Sequence, residues 1–309
     1  MTLTASSVAD VTAALLSASA RRERISALDL RAMREVLEYT PEDMTVSVEA
    51  GVTLTQLQAR LAEHNQWLPI DPPGANTLTI GALVAANKSG PRRFGFGTIR
   101  EHLLGIKVVL ADGRVIKAGG KVVKNVAGYD LCKLFVGSHG TLGVIVEATF
   151  KVLPRPESEL FLKRASAQLD EFAPLLQQVN QSPLTPVVLD LHGSRAGHTF
   201  VLGFAGPRED VEWQREQARA LGFAESAALD YDEALRQTSE PFQVASVLPS
   251  KVIATVKSLD TQTYVARAGN GLIYFRGGRS QQRPELPLKL MRRIKETYDP
   301  KGILPDLPW

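Results

Sequence analysis

The residues best suited to hold a ligand lie in a glycine-dense block between residues 69 and 147. Glycine reaches positive φ angles and lets backbone N–H groups approach a bound anion or a flat ring closely. In the run PPGANTLTIGALVAAN, Pro72 and Pro73 stiffen the approach, Gly74 relieves backbone crowding, and Gly81 opens a helix of small residues. The first amide groups of such a helix are available to a pyrophosphate. The block predicts a nucleotide or flavin cofactor, although such turns also serve tight helix–strand packing without a ligand.

A second glycine run, GSHGTLG at residues 137–143, stands directly before the β-branched residues Val144, Ile145 and Val146. A strand that begins there offers main-chain donors and acceptors to the edge of an adenine ring. The order is opposite to that of a Rossmann fingerprint, in which the glycines follow a strand and open a helix. We therefore expect a nucleotide-binding turn of another kind.

Few other side chains suggest chemistry. His192 and His198 lie six residues apart on neighbouring predicted strands, so we interpret them as surface or core histidines rather than metal ligands. Arg92, Arg93 and Arg100 flank the glycine block and suit either a phosphate or substrate carboxylate, or plain surface charge. The sequence assigns no catalytic side chain and predicts no metal site.

The composition of the 309 residues is that of an ordinary soluble globular protein of about two domains. The net charge of +3 arises without a long Lys/Arg run, which argues against a nucleic-acid partner. The single cysteine, Cys132, excludes an internal disulfide and is interpreted as a small buried residue rather than a flavin anchor. With no secretory signal and no apolar run of 18 residues, we predict no transmembrane segment and a cytoplasmic location, at most peripheral to the inner membrane.

The elements that must position the glycine block read as a mixture of helices and strands. Ser7 can cap a first helix at residues 8–20, and Thr53 can open another whose leucines share one face. The dipeptide Asp112-Gly113 between apolar runs predicts a β-hairpin. Strands are also predicted at residues 45–49 and 144–153, and the segment LPRPE that follows marks a domain boundary.

After this boundary, strands and helices follow one another in the order β-α-β-β-α, which is typical of a ferredoxin-like α+β module. The predicted strands lie at residues 159–163, 187–192, 198–204, 251–256 and 272–276, and the predicted helices at residues 169–179, 208–221 and 285–298.

Two segments of the glycine block carry a family resemblance. TIGALVAANKSGPRRFGFGTIREHLLG and GGKVVKNVAGYDLCKLFVGSHGTLGVIVEATFKVLPRP resemble the PCMH-type FAD-binding domain, also called the vanillyl-alcohol-oxidase type, and most of all the E subunits of bacterial glycolate oxidases. The resemblance implies an α+β fold in three parts. These are a two-subdomain FAD-binding domain with a shortened N-terminal subdomain at residues 1–154, a ferredoxin-like α+β cap domain at 155–275, and a C-terminal helix and tail at 276–309 that return to the FAD domain.

By position, the FAD contacts of the family fall on twelve residues of this chain. They are Pro72, Gly74, Thr79, Ile80, Gly81, Ala82, Asn87, Ser89 and Gly90, with Gly140, Gly143 and Ile145 near the adenosine side. Lys124 and Asn125 are expected to face the flavin or a partner subunit.

The chain departs from the family pattern upstream of the block. Members carry a glycine-rich pyrophosphate loop before the equivalent of the strand at residues 45–49, but here no glycine precedes Gly51. The missing loop removes charge-assisted hydrogen bonds worth about 1.5–3 kcal/mol each. Gly81-Ala82 replaces a usual pair of glycines, and after an intact DPKGIL the usual Asn-Pro-Gly is replaced by PDLPW.

The resemblance implies an FAD-binding subunit of a glycolate-oxidase-like 2-hydroxy-acid dehydrogenase, which passes electrons from the flavin toward an iron-sulfur subunit. A D-type flavin subunit would be a further partner and would oxidise the small 2-hydroxy-acid substrate. Because of the missing loop, an alternative is a cofactor-poor structural subunit of the same complex that has lost tight FAD binding. A stand-alone oxidase of another alcohol or aldehyde is a third hypothesis.

Overall fold

Two large β-sheets, one of five strands and one of seven, organise the part of the chain that the computed structural model describes. The described residues are 2–120, 130–194, 197–226, 230–232, 242–261, 263–279 and 287–306. Two short strand pairs accompany these sheets. This architecture agrees with the predicted α+β class. Among the described residues, no helix combines the length and the apolar character needed to cross a bilayer.

The elements around the first sheet alternate strands with short helices. In chain order they are β1 (Thr2–Thr4), α1 (Val8–Arg21), β2 (Ala27–Asp29), β3 (Val36–Thr40), β4 (Thr45–Glu49), α2 (Leu54–Ala62), β5 (Gln66–Trp67), α3 (Ile80–Ala86), α4 (Arg93–Phe96), α5 (Ile99–His102), β6 (Leu103–Val109), β7 (Val115–Gly119), α6 (Leu131–Phe135), β8 (Val144–Lys151) and β9 (Leu153–Pro154). The five-stranded sheet has the order β3-β4-β8-β6-β7 with antiparallel neighbours.

Local sequence signals explain where several of these elements begin and turn. The Ser7 side chain accepts a hydrogen bond from the Asp10 amide at the start of α1, as predicted. Thr53 caps α2 and forms a reciprocal capping box with Gln56. The predicted hairpin is confirmed, because β6 and β7 pair on either side of the Asp112-Gly113 turn.

The core of the first sheet explains why α2 lies where it does. Leu54, Leu57 and Leu61 are at most 1% exposed and share one face of the helix. They pack in one apolar cluster with Val48 and Phe150 of the sheet. Burial of each such side chain contributes about 1.5–3 kcal/mol, so this seam fixes the helix against the sheet.

The N-terminal segment is a small unit of its own. Strands β1 and β2 pair in parallel, and α1 connects them through a link of residues 22–26 that contains no glycine. Its core also includes Ile303 and Leu304, which are fully buried together with Val11 and Leu15. The C-terminal segment therefore completes the N-terminal core.

The second sheet follows the linking segment at residues 155–157. Its elements are β10 (Ser158–Ser166), α7 (Phe172–Gln181), β11 (Val188–Ser194), β12 (Gly197–Gly206), α8 (Arg208–Ala220), β13 (Ala224–Ser226), β14 (Gln243–Ser246), α9 (Val252–Leu259), β15 (Thr263–Arg267) and β16 (Leu272–Arg276). The last helix, α10 (Leu288–Tyr298), instead packs on the core of the first sheet. The sheet order is β13-β10-β12-β11-β15-β16-β14, and all pairs are antiparallel. The predicted β-α-β-β-α order is present, and the sheet extends beyond it to seven strands.

One predicted strand is wrong. Residues 251–256 do not form a strand, because Val252–Leu259 is the helix α9. The β-branched residues in VIATV favour a strand by propensity. However, Val252, Val256 and Leu259 recur at helical spacing and are at most 4% exposed, so tertiary packing of one helix face overrides that preference.

Candidate cofactor site

The N-terminus of α3 lies against the strand–helix turn at residues 50–52. The amides of Ile80 and Gly81 donate to the carbonyls of Val52 and Ala50, both at 2.8 Å, and the Ala82 amide contacts the Thr79 side-chain oxygen at 3.4 Å. The expectation that these first amides are free for a pyrophosphate is therefore wrong. Residues 50–52 pass so close that they take up the donors.

Gly81 is required by this close approach. A Cβ atom at Gly81 would lie 2.9 Å from the Cβ atom of Ala50, closer than nonbonded carbon atoms are found. The small residues at the N-terminus of α3 thus allow the helix to pack tightly on the turn at residues 50–52. This is the alternative to cofactor binding that the sequence analysis gave for glycine turns. Any cofactor contact of Thr79, Ile80, Gly81 or Ala82 must use their surface rather than these amides.

The loop before α3 borders a cavity. Gly74 has a φ of 79°, which turns the loop, and its carbonyl accepts hydrogen bonds from the amides of Thr77 and Leu78. A cavity of about 290 Å³ lies between this loop and Asp232 of the second-sheet region. Its walls are formed by Asp71, Pro72, Pro73, Gly74, Ala75, Asn76 and Asp232. The structure thus places the predicted residues Pro72 and Gly74 on a space between the two sheet regions.

The end of α3 meets the second glycine run. Asn87 ends the helix with a φ of 47°, and a Cβ atom at Gly137 would lie 3.6 Å from the Cβ atom of Asn87. The amides of Gly137 and His139 donate to the carbonyls of Val84 and Ala85 at 3.1 and 2.8 Å. The two glycine-rich segments, 53 residues apart at Asn87 and Gly140, are therefore joined.

Two polar atoms at this junction have no hydrogen-bond partner among the described residues. Oδ1 of Asn87 and Oγ of Ser138 are both buried, and neither is hydrogen-bonded within the described part of the chain. Buried polar atoms are nearly always paired in folded proteins, so two unpaired ones in one place are candidate contacts for water or a polar ligand. The residues at this junction thus fit a polar ligand. Ser138 was not among the predicted site residues, since only its place between two glycines distinguishes it in the sequence.

The remaining predicted FAD contacts lie partly in turns and partly in the packed interior. Gly140 has a φ of 75°, so a left-handed turn requires it. Gly143 packs on Val108, and Ile145 is 4% exposed in the apolar core of the first sheet. A Cβ atom at Gly90 would lie 1.9 Å from the carbonyl oxygen of Asp71, and Ser89 accepts a hydrogen bond from Arg93 at 3.3 Å. Lys124 and Asn125 lie outside the described residues.

Arg92 links the two sheet regions through two ion pairs. Its guanidinium group forms ion pairs with Asp71 and with Glu159 of β10, each at 3.0 Å. It also lies over the rings of Trp67 and Phe161, 5.5 and 5.2 Å from their centroids. Burial raises the pKa of Asp71, although Arg92 acts in the opposite direction. The interpretation of Arg92 as plain surface charge is therefore wrong, and the chain's own carboxylates pair with its guanidinium group.

A second arginine is enclosed in the same way. Arg267 of β15 is ion-paired with Asp190 of β11 and with Asp232, and the Tyr231 hydroxyl donates to Asp190 at 2.7 Å. Burial raises the pKa of Asp190 to about 6, against the attraction of Arg267. Sequence reasoning missed this cluster, although one charged residue inside each of the apolar strands VVLDLH and TYVAR is a signal for it.

The histidines make contacts inside the protein. His192 stacks on Tyr231 with ring centroids 4.5 Å apart, and His198 Nδ1 lies 2.9 Å from the Tyr264 hydroxyl. In the described part of the chain, no group of three or more His, Cys, Asp or Glu side chains is arranged to hold a metal ion. Cys132 is buried, and burial raises its pKa to about 11, so its thiol is a poor nucleophile.

Three comparisons with known proteins relate the chain to flavin-binding domains. The family described as FAD binding domain matches residues 5–119. The chain is 41% identical to glycolate oxidase subunit GlcE of Escherichia coli (strain K12) over 138 residues, which are 44% of this chain and 39% of that protein. It is 35% identical over 158 residues to glycolate oxidase subunit GlcD of Bacillus subtilis (strain 168), covering 51% of this chain and 34% of that protein. A D-lactate dehydrogenase of Archaeoglobus fulgidus is 37% identical over 160 residues, which are 52% of this chain and 36% of that protein.

The matched part thus spans 34–39% of the length of these relatives. Among solved structures, alkyldihydroxyacetonephosphate synthase superposes with a TM-score of 0.71 at 18% identity, covering 97% of this chain and 74% of that chain. At this identity the likeness is one of fold. Residues 5–119 thus match an FAD-binding domain, as the predicted resemblance to the PCMH type implied, and this match indicates FAD as the cofactor.

Proposed function

We propose that this chain is the FAD-binding subunit of a heteromeric 2-hydroxy-acid dehydrogenase of the glycolate-oxidase type. The observation that carries the proposal is the junction of the two glycine-rich segments, where the buried oxygens of Asn87 and Ser138 have no partner among the described residues. Relatives named as glycolate oxidase subunits and as D-lactate dehydrogenases support the substrate class, since glycolate and lactate are both 2-hydroxy acids.

The chain's residues would hold FAD from two sides. Asn87, Ser138 and Gly140 would contact one part of the cofactor at the junction, and Pro72 and Gly74 would contact another part at the cavity between the sheet regions. The other predicted contacts, Thr79, Ile80, Gly81, Ala82, Ser89, Gly90, Gly143 and Ile145, would shape the groove between these places. Bound FAD supplies the two-electron chemistry, and the chain binds it, orients it and excludes water.

The proposal is tested by titrating FAD into the purified full chain and following flavin fluorescence and heat of binding. We expect saturable uptake with a dissociation constant in the micromolar range or tighter, and a yellow protein after gel filtration. A colourless protein that takes up no added FAD contradicts the proposal.

A cofactor-poor structural subunit of the same complex is the second candidate, and two observations favour it. The link at residues 22–26 contains no glycine-rich loop, and the first amides of α3 are bound within the chain. Together these remove two groups of backbone donors from a doubly charged pyrophosphate. The same titration separates the candidates, because micromolar or tighter binding argues against a scaffold that has lost its cofactor.

We further propose that a D-type flavin subunit and an iron-sulfur subunit are the partners, with the latter receiving the electrons. The proposal rests on the relatives named as subunits GlcE and GlcD. Co-expression of the chain with these two kinds of subunit, followed by affinity purification through a tag on this chain, is expected to recover all three. The complex is expected in the cytoplasmic fraction or loosely held at the inner membrane, and recovery of this chain alone contradicts the subunit role.

A further inference from the structure

The C-terminal helix α10 reaches the second glycine run through one side chain. Nζ of Lys295 lies 2.9 Å from the carbonyl oxygen of Thr141, 2.5 Å from Oδ2 of Asp299 and 3.3 Å from the carbonyl oxygen of Leu304. The Lys295 side chain is 13% exposed and that of Asp299 is fully buried. An ammonium group has three donors, and here all three find acceptors within the protein.

Asp299 fixes Lys295 in place. One carboxylate oxygen of Asp299 accepts from the Ile303 amide at 2.9 Å, and the other accepts from the Leu304 amide at 2.9 Å and from Lys295. The carboxylate therefore folds the C-terminal turn back onto the helix. Lys295 is thus held on one side by a buried charge pair while its remaining donors point to carbonyl groups.

Thr141 belongs to the segment of residues 137–143, which we call the glycine loop. Gly137 and His139 tie the first half of this loop to α3 through their amides. Among the described residues, the second half has no such amide bond to α3. There Leu142 packs in the core of the first sheet, and Lys295 donates to the carbonyl of Thr141, which is 1% exposed. Because the glycine loop contains three glycines, ordering it is entropically costly, and a fixed anchor at each half reduces that cost before a ligand binds.

We propose that Lys295 is a positioning residue for the cofactor, which sets the second half of the glycine loop relative to Asn87 and Ser138. This inference rests on the proposed function, since it assigns Lys295 a role in FAD binding without contact to FAD. The other basic residues of α10, Lys289, Arg292 and Arg293, are exposed and are not given this role.

The test compares four variants of the full chain, one of which, Lys295→Arg, keeps a donor at this position. Lys295→Met removes the donor but leaves the buried Asp299 charge unpaired, so the double variant Lys295→Met with Asp299→Asn removes the charge pair as a whole. Lys301→Met is the matched control, because Lys301 lies in the same C-terminal segment but donates to the Ser19 carbonyl of α1 at 3.1 Å. FAD affinity is measured at a temperature where thermal unfolding curves show every variant to be folded.

We expect Lys295→Met and the double variant to bind FAD about tenfold more weakly than the wild-type chain. Amide hydrogen exchange of residues 137–143 in the FAD-free chain is expected to rise in the same variants and to stay unchanged in Lys301→Met. Lys295→Arg, which keeps a donor within reach, is expected to restore most of the affinity. A merely stabilising role would change the unfolding temperature but not the affinity of folded protein.

The outcomes separate this inference from the proposed function. If the wild-type chain binds FAD and the folded double variant binds it equally well, the positioning role of Lys295 is overturned while the proposed function stands. If the wild-type chain takes up no FAD, the proposed function is overturned, and the role of Lys295 falls with it.

Discussion

Arg92 and Glu159 form an ion pair at 3.0 Å that joins the glycine block to the first strand of the second sheet. The same guanidinium group is bound by Asp71 on its other side, and the Arg92 side chain is only 16% exposed. One buried cation thus holds carboxylates from both sheet regions. Removing the Arg92 guanidinium group would leave the carboxylates of Asp71 and Glu159 without their counter-ion.

Replacing Arg92 with Met should destabilise the fold by about 3 kcal/mol, because two largely buried carboxylates lose their counter-ion. Urea unfolding of the wild-type and variant chains measures this free energy. Arg100→Met is the control, since Arg100 is exposed and its loss should change stability by less than about 0.5 kcal/mol. Equal unfolding midpoints for both variants would show that the Arg92 pairs contribute nothing.

Asp190 should contribute a fall in the free energy of unfolding as the pH rises from about 4 to about 6. In the unfolded chain this carboxyl loses its proton near its ordinary pKa of 3.8, whereas burial in the folded chain raises the pKa to about 6. Between these values the folded state binds more protons than the unfolded state, so stability decreases as the pH rises. Urea unfolding at several pH values measures the slope.

Asp190→Asn should remove that part of the slope, because an amide does not titrate. Asp170→Asn serves as the control, since the Asp170 side chain is 70% exposed, and it should leave the slope unchanged. A slope that is the same in the wild-type and Asp190→Asn chains would rule out Asp190 as its source.

Ser138→Ala should affect the FAD-bound and FAD-free chains differently. Without FAD, the variant loses a buried hydroxyl that has no partner in the described structure, so stability should change by less than about 0.5 kcal/mol. With FAD, the lost hydrogen bond should weaken binding by about tenfold. Fluorescence titration and thermal unfolding measure the two quantities. Ser182→Ala, whose hydroxyl donates to the Val179 carbonyl at 2.7 Å in the second-sheet region, should bind FAD normally.

Gly81→Ala should destabilise the chain by about 1–3 kcal/mol, even though alanine is the better helix former by about 1 kcal/mol. The new Cβ atom would lie 2.9 Å from Ala50, and neither backbone can yield easily because two hydrogen bonds of 2.8 Å join these segments. Urea unfolding tests the prediction. Gly120→Ala, where a Cβ atom meets none of the described residues within 4 Å, should cost little, and an equally small cost at Gly81 would contradict the steric argument.

Local signals in the sequence predicted much of the fold. The caps of α1 and α2 and the Asp112-Gly113 hairpin depend on residues a few positions apart, so their chemistry can be read from short segments. The error at α9 has a related cause. There, propensity and periodicity disagree, and the buried face that decides between them is formed by distant parts of the chain.

The candidate site was less predictable because its key contacts join distant residues. The amides of α3 are bound by residues about 30 positions earlier in the chain, which no local glycine pattern indicates. Arg92 and Arg267 meet acidic partners 67 and 77 positions away, respectively, so local sequence does not show which residues pair. The sequence motifs located the glycine segments correctly, but only the fold shows which donors remain for a ligand.

The insertion of Ile303 and Leu304 into the core around Val11 and Leu15 has a consequence for biosynthesis. The ribosome makes the α1 segment first, yet the last apolar side chains of its core are added only after both large sheets have been synthesised. The N-terminal unit therefore cannot finish folding before the rest of this chain has been made. Until then, its apolar face is exposed and prone to aggregation.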